Sequence, residues 1–197
     1  MKVFLLDNGT LMLDQSFATW NHGQGVEFRF PVYAFFVDHP AGKVMIDTGF
    51  DKSWVERKLP FEKPEQSEDQ TIQAQLAKIG VKPEEIDIVI NSHLHFDHCS
   101  NNKLFPQATF YFSKSELRHA HVPDPWERLG YDPDLVVMPG MKTELLDLGH
   151  YEYEVLELLD SMNRIENIAK KIGGKIFYSH DPEEYAGYTL CPAYYGG

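Results

Sequence analysis

Apolar and polar positions change their period along the chain, and the changes mark out its elements. Residues 3–6 and 10–13 are two short apolar runs on either side of Asp7-Asn8-Gly9, a turn signal, so they predict a hairpin. Pro31 then opens VYAFFVD, and HPAG separates it from KVMID, which predicts a second hairpin of two strongly apolar strands. Between the pairs, residues 16–30 (SFATWNHGQGVEFRF) mix glycine with aromatic side chains and read as a loop or irregular edge, the kind of segment that covers a site or a partner subunit.

After Thr48-Gly49 the pattern lengthens. Residues 51–58 read as a short helix, FEKPEQS as a loop, and 68–79 as a helix with Ile72, Leu76 and Ile79 on one face and Gly80 at its end. Residues 86–90, apolar except for Asp87, have the brevity of a buried strand in an α/β unit, and they run straight into NSHLHFDHCSNN. ATFYF at 108–112 predicts a strand, and SKSELRHAH a helix with Ser113 as cap and Glu116 at capping-box spacing. The four prolines of HVPDPWERLGYDPDLVVMPG predict a loop, and 142–148 another strand. From 154 to 171 the positions Val155, Leu158, Leu159, Met162, Ile165, Ile168, Ala169 and Ile172 recur at three and four, an amphipathic helix closed by Gly173-Gly174 and expected to face a sheet. KIFYS reads as the last strand before an aromatic-rich tail. No repeat, low-complexity tract or linker divides the sequence, so 1–197 is expected to form a single domain.

Composition narrows the partners. A chain of 197 residues with 43% hydrophobic and 24% charged residues is a folding chain, neither disordered nor membrane-embedded. Thirty acidic against 18 basic residues leave a net charge of −12, which argues against nucleic acid and gives no attraction to an anionic membrane. Cys99 and Cys191 are too far apart in sequence to suggest a disulfide framework or a CxxC site. The apolar run before Asp7 is too short for a signal-peptide core, so the expectation is a cytoplasmic protein.

Candidate chemistry concentrates in SHLHFDH, where His93, His95, Asp97 and His98 fall within six residues directly after an apolar strand. In an extended or turn conformation His93 and His95 project to one side and can share an ion, while Asp97 and His98 turn toward a second position. Imidazole with carboxylate suits Zn²⁺ and its transition-series neighbours. Asp47 reads as a buried carboxylate that fixes a turn, Cys99 as a small buried filler, and His119 and His121 as surface residues. Trp20, Phe28, Phe30, Tyr178, Tyr185 and Tyr188 are candidates for pocket wall, core or interface alike, and Arg29 for contact with an acidic substrate.

The string SHLHFDH resembles the HxHxDH motif of the metallo-β-lactamase superfamily of metallohydrolases, VMIDTG at 44–49 resembles the element ahead of it, and KIFYSHD resembles its terminal strand with a late histidine. LLDNGTLMLD, WNHGQGVEFRFPVY, LPFEKP and the asparagines after the motif place the resemblance among the lactonases, the quorum-quenching N-acyl-homoserine lactonases and 4-pyridoxolactonase. The resemblance implies an α/β fold, the metallo-β-lactamase-like αββα sandwich, either whole or incomplete in its second half. It implies two Zn²⁺, with His93 and His95 on the first and Asp97, His98 and His180 on the second, roughly 3.5–4 Å apart. A zinc-bound hydroxide would open a small-molecule lactone or ester, with Asp97 also serving as a proton relay, in a homodimer formed through the early loops.

The chain also departs from that pattern. Relatives carry a GHxxGH element and a bridging aspartate between the loop after Asp134 and the last helix, where this chain is shorter. LLDLGHYEYE can be read as that element, with His150 as the first zinc's third histidine, or as the strand before it; Asp147 and Asp160 fit the bridging role poorly. A thioester hydrolase of the glyoxalase II type and a non-catalytic metal-binding remnant are the alternatives.

Overall fold

The computed structural model describes residues 1–19, 22–147 and 155–196, with backbone alone over 155–161. Its centre is a six-stranded mixed sheet in the order β1 to β6. The first strand, β1 (Lys2–Asp14), runs antiparallel to β2 (Glu27–His39), which turns at HPAG into antiparallel β3 (Gly42–Ile46) as expected. Strands β4 (Ile88–Ile90), β5 (Thr109–Ser113) and β6 (Lys142–Leu146) then add in parallel.

Asp7-Asn8-Gly9 does not reverse the chain. The register moves from Asp7↔Tyr33 to Thr10↔Pro31, one extra residue on β1, so the predicted first hairpin is a single bulged strand. Asn8 explains the difference: its side chain is buried, with Oδ1 accepting from the Phe50 N–H at 2.7 Å and Nδ2 donating to the Gln70 carbonyl at 3.2 Å. Gly9 takes φ +96°, where a Cβ would lie 2.3 Å from the Glu65 carbonyl oxygen. The next strand also begins earlier than expected, because Phe28 and Phe30 pair with Leu13 and Leu11 and residues 27–30 join β2.

The helices fill the connections. Asp14 caps α1 (Gln15–Ala18), Asp51 caps α2 (Lys52–Lys58), and Thr71 caps α3 (Ile72–Ala77), which splits the expected 68–79 helix after a 3-10 turn at Glu68–Gln70. The motif enters α4 (Phe96–Cys99), followed by α5 (Lys114–His121), α6 (Pro133–Val136), α7 (Val155–Ile172) and α8 (Pro182–Tyr185). One side of the sheet packs Leu6, Phe36, Met45, Val89 and Phe110 against Ile72 and Leu76 of α3. A second buried core cluster gathers Leu11, Phe30, Phe50, Trp54, Leu59 and Phe96.

Two expectations fail at the end of the chain. Over its described side chains, residues 162–172, helix α7 leaves its apolar stripe uncovered: Ile165 is 56% and Ile172 72% exposed. KIFYS joins no ladder, since residues 174–178 carry no strand pairing. The face of the sheet around Leu5 and Tyr33 is covered instead by Phe177, Tyr185 and Tyr188, with single bridges at Val3↔Tyr195 and Leu5↔Leu190. Among the described residues no helix is long and apolar enough to cross a membrane.

Candidate metal centre

The site lies at the carboxyl ends of β3 and β4, where parallel strands leave their last carbonyls and the following loops free. Asp47 donates its N–H to the Ile90 carbonyl (2.8 Å) and Thr48 to that of His98 (2.8 Å), which lashes the two loops together. Buried amides complete the frame. Asn91 Nδ2 donates to the His98 carbonyl (3.1 Å), Asn102 Nδ2 to Asn91 Oδ1 (3.0 Å), and Asn101 Nδ2 to the carbonyls of Thr48 and Phe50 (2.9 Å each). Glu116, at the expected capping-box position, turns away from its helix and accepts from the Leu94 N–H (2.9 Å) and the Tyr131 hydroxyl (3.1 Å), so it anchors the middle of the motif.

Asp97, His98 and His180 converge, their ligand atoms all within 4.8 Å of one another. Asp97 Oδ2 is 3.4 Å from both His98 Nε2 and His180 Nε2, and those two nitrogens are 3.2 Å apart. Each ring has its other nitrogen committed to an acceptor. His98 Nδ1 donates to Asp47 Oδ2 at 2.8 Å and His180 Nδ1 to the Pro31 carbonyl at 3.0 Å. Nε2 of each neutral ring therefore carries a lone pair, and two lone pairs with a carboxylate oxygen point into one small space. Such a donor set repels itself unless a cation sits there, which is the chemistry of a metal site. Without one the proton substitutes: burial would lower the His98 pKa, but Asp97 and Asp47 reverse this and push it up to about 10. Burial would likewise raise the Asp97 pKa, yet His98, His180 and His93 hold it well below the usual carboxylate range.

His93 and His95 stand beside this group. The His93 ring centroid is 3.9 Å from that of His98 and 4.7 Å from that of His95. Burial, with the neighbouring histidines, lowers His93 to about 3, and burial also lowers His95 and His180, so all three are neutral imidazoles. His95 Nε2 is buried without a hydrogen-bond partner. An orphaned ring nitrogen next to a second neutral imidazole fits a cation as its missing partner. His150 lies outside the described residues, as do Trp20 and the stretch 148–154 that joins β6 to α7.

Other expectations sort as follows. Asp47 is the buried turn carboxylate anticipated, at φ +59°, and it also accepts from the Ser92 N–H and hydroxyl (2.7 Å each). Cys99 is fully buried, donating to the Leu94 carbonyl. Arg29 is paired with Glu65 (3.1 Å) and donates to Thr10 and the Lys63 carbonyl. His119 is half-buried and bonded to Glu127 (2.7 Å), and with Asp124 forms a second, more exposed group of potential ligands. Phe30 meets the His180 ring edge-on at 4.8 Å, whereas Tyr188 is core. Ser92, Pro31 and Glu116 were missed, because their roles arise from contacts distant in sequence. A cleft of about 310 Å³ behind the motif loop, lined by Asn8, Phe50, Lys52, Gln66, Asn101 and Lys103 among others, contains none of the predicted ligands.

Residues 28–158 match the family model of the metallo-beta-lactamase superfamily. The chain belongs to that superfamily. Among curated superfamily relatives, the N-acyl homoserine lactonase AttM of Agrobacterium fabrum (strain C58) is 28% identical over 169 residues, a match that takes in 78% of this chain but only 61% of that protein. The N-acyl homoserine lactonase of Bacillus cereus is 25% identical over 246 residues, covering 98% of each. An alignment that long leaves some fifty positions of the Bacillus protein without a counterpart inside this chain. A solved N-acyl homoserine lactone hydrolase, with N-hexanoyl-L-homoserine at its catalytic metal centre, superposes with a TM-score of 0.80 at 21% identity over 98% of both chains. The fold is therefore the superfamily's αββα sandwich, in which the described residues supply one mixed sheet flanked by helices.

Proposed function

We propose that the chain is a zinc-dependent hydrolase that opens a lactone ring, with His93 and His95 toward one ion and Asp97, His98 and His180 toward another. The observation that carries this reading is the convergence of Asp97 Oδ2 with two imidazole nitrogens whose opposite nitrogens are already committed. The likeness to N-acyl homoserine lactonases supports a cyclic ester as substrate. Bound Zn²⁺ supplies Lewis acidity toward the ester carbonyl and a water acidic enough to ionise near neutral pH.

The residues supply the rest. Asp47, through His98, and Pro31, through His180, keep both rings in the tautomer that presents Nε2. Asp97, held ionised beside His98 and His180, would be a ligand first, and in this reading would also serve as the relay that carries a proton to the departing ring oxygen. Hydrolysis adds one water, breaks the acyl carbon–ring oxygen bond and near neutral pH yields a hydroxy carboxylate and one proton.

Proton release is therefore the test. Protein loaded with Zn²⁺ should release acid from N-hexanoyl-homoserine lactone or a heterocyclic lactone in a pH-stat, lose this with chelator and regain it with Zn²⁺. Thiol release from an acyl thioester without lactone turnover would move the assignment to a thioester hydrolase. No turnover with at most one loosely held ion would favour a non-catalytic remnant. A homodimer through the early loops belongs to the same reading; exposed Phe17 and Val26 support it, and a concentration-independent monomer mass would remove it.

A further inference from the structure

His180 comes from a stretch of chain that no sheet holds. Residues 174–178 have no ladder partner, yet two residues later His180 Nε2 must meet His98 and Asp97 to within a few tenths of an ångström. Side chains replace the ladder. The Tyr178 N–H donates to Tyr188 Oη at 2.9 Å, and the Tyr178 carbonyl accepts from Tyr33 Oη at 2.8 Å. Both tyrosines are buried, and their rings meet edge to face with centroids 6.1 Å apart. Phe177 lies against Phe35 (5.2 Å) and Tyr188 (5.1 Å), while Lys175 Nζ lies over Phe177, Tyr188 and Tyr195 at 4.9–5.3 Å.

The spacing gives this clamp its direction. Pro31 and Tyr33 are two apart on β2, and His180 and Tyr178 are two apart on the facing segment. The Pro31 carbonyl holds His180 Nδ1 while the Tyr33 hydroxyl holds the Tyr178 carbonyl. The tail thus runs beside β2 in a fixed register, set by one side-chain bond to each residue instead of by main-chain pairing. Beyond it His180 adopts φ +62°, uncommon for a residue with a side chain, and Asp181 caps α8. A residue in that region keeps its aim only if both flanks are fixed.

We propose that Tyr33 and Tyr188 are positioning residues, whose hydroxyls grip the main chain of Tyr178 and thereby aim His180 at the metal centre. The proposal rests on His180 being a ligand, and the experiment separates the two ideas. The protein would be loaded with Co²⁺, and affinity, stoichiometry and the visible ligand-field spectrum measured for Tyr33→Phe, Tyr188→Phe, Tyr195→Phe, His180→Ala and Tyr33→Phe combined with His180→Ala. Tyr195 belongs to the same aromatic cluster, but its hydroxyl accepts from the Thr189 N–H and does not touch Tyr178.

Each of the first two variants keeps its ring and should weaken Co²⁺ by about tenfold or more, the scale for losing a group that orients a ligand, and should shift the spectrum. Tyr195→Phe should leave both unchanged, and Tyr33→Phe should add no further loss once His180 is alanine. Circular dichroism establishes which variants fold; if Tyr33→Phe does not, Tyr188→Phe alone and its combination with His180→Ala decide. An unchanged His180→Ala would overturn the ligand reading itself. A His180→Ala that loses metal beside tyrosine variants that bind like the parent would overturn the positioning role. So would a tyrosine effect that persists in the His180→Ala background.

Discussion

Asp47→Asn isolates the tautomer argument, because it changes one atom of a carboxylate whose three bonds are all defined. Oδ2 accepts from His98 Nδ1 (2.8 Å) and from the Ser92 hydroxyl (2.7 Å), and Oδ1 accepts from the Ser92 N–H (2.7 Å). An asparagine cannot satisfy all three. With its oxygen toward His98, its NH₂ faces the Ser92 N–H, donor against donor. With its oxygen toward the Ser92 N–H, the NH₂ faces His98 Nδ1, and the imidazole must move its proton to Nε2, the nitrogen aimed at Asp97 and His180. Either choice disrupts the centre, while the backbone is spared, since asparagine tolerates the φ of +59°. Loss of an orienting carboxylate weakens metal affinity about 10- to 100-fold, or about 1.4–2.7 kcal/mol. Competition of Zn²⁺ against a chromogenic chelator, with thermal unfolding of the metal-free protein alongside, measures it. An affinity within twofold of the parent, at unchanged unfolding temperature, would refute the claim that Asp47 sets the His98 tautomer.

Asp97→Asn should cost more metal than His98→Ala, because the Asp97 carboxylate lies 3.4 Å from both imidazole nitrogens and is the group that brings negative charge to the triad; metal content by mass spectrometry under native conditions ranks the two. Burial, with Asp97 adding to it, raises the Glu62 pKa to about 8, so the metal-free fold holds a proton there that the unfolded chain has released. Its stability should fall as pH rises from about 4.5 to 8, and Glu62→Gln should be more stable by up to about 2 kcal/mol above pH 8 and equal below pH 4.5 in denaturant titrations. Gly9→Ala should destabilise by about 2 kcal/mol or more, since its Cβ would meet the Glu65 carbonyl oxygen at 2.3 Å in a positive-φ backbone; the denaturation midpoint reports it. Cys99 and Cys191, buried and with thiol pKa values raised by burial, should react with a thiol reagent only after denaturant is added.

The fold was legible wherever burial follows local period. Strands β3, β4 and β5 lie where short apolar runs placed them, and α7 where threes and fours placed it. It was illegible where a turn residue's side chain found a distant partner. Asn8 and Gly9 are turn chemistry in any local reading, and only Phe50, Gln70 and Glu65 make them a bulge. The apolar stripe of α7 misled in the opposite sense. Its period reports an amphipathic helix but not what covers it, and Met162, Ile165, Ile168 and Ile172 are all exposed.

For the site, sequence reading picked out the candidate donors and missed what aims them. His93, His95, Asp97 and His98 stand out as candidates because ligands that share an ion must be close, and a tight loop after a buried strand brings them close in sequence too. His180 came only by resemblance, because it arrives across the sheet from 82 residues beyond His98. What orients each imidazole is less visible still. The Pro31 carbonyl belongs to a residue whose side chain has no chemistry, and the Tyr33 hydroxyl reaches main chain 145 residues away. Such contacts leave no local pattern, since a carbonyl is present at every position and a tyrosine in a strand reads as core. They follow from how the tail is laid against β2. This makes the tail's placement, with its ladder replaced by tyrosine hydroxyls, the step on which assembly of the Asp97–His98–His180 centre depends.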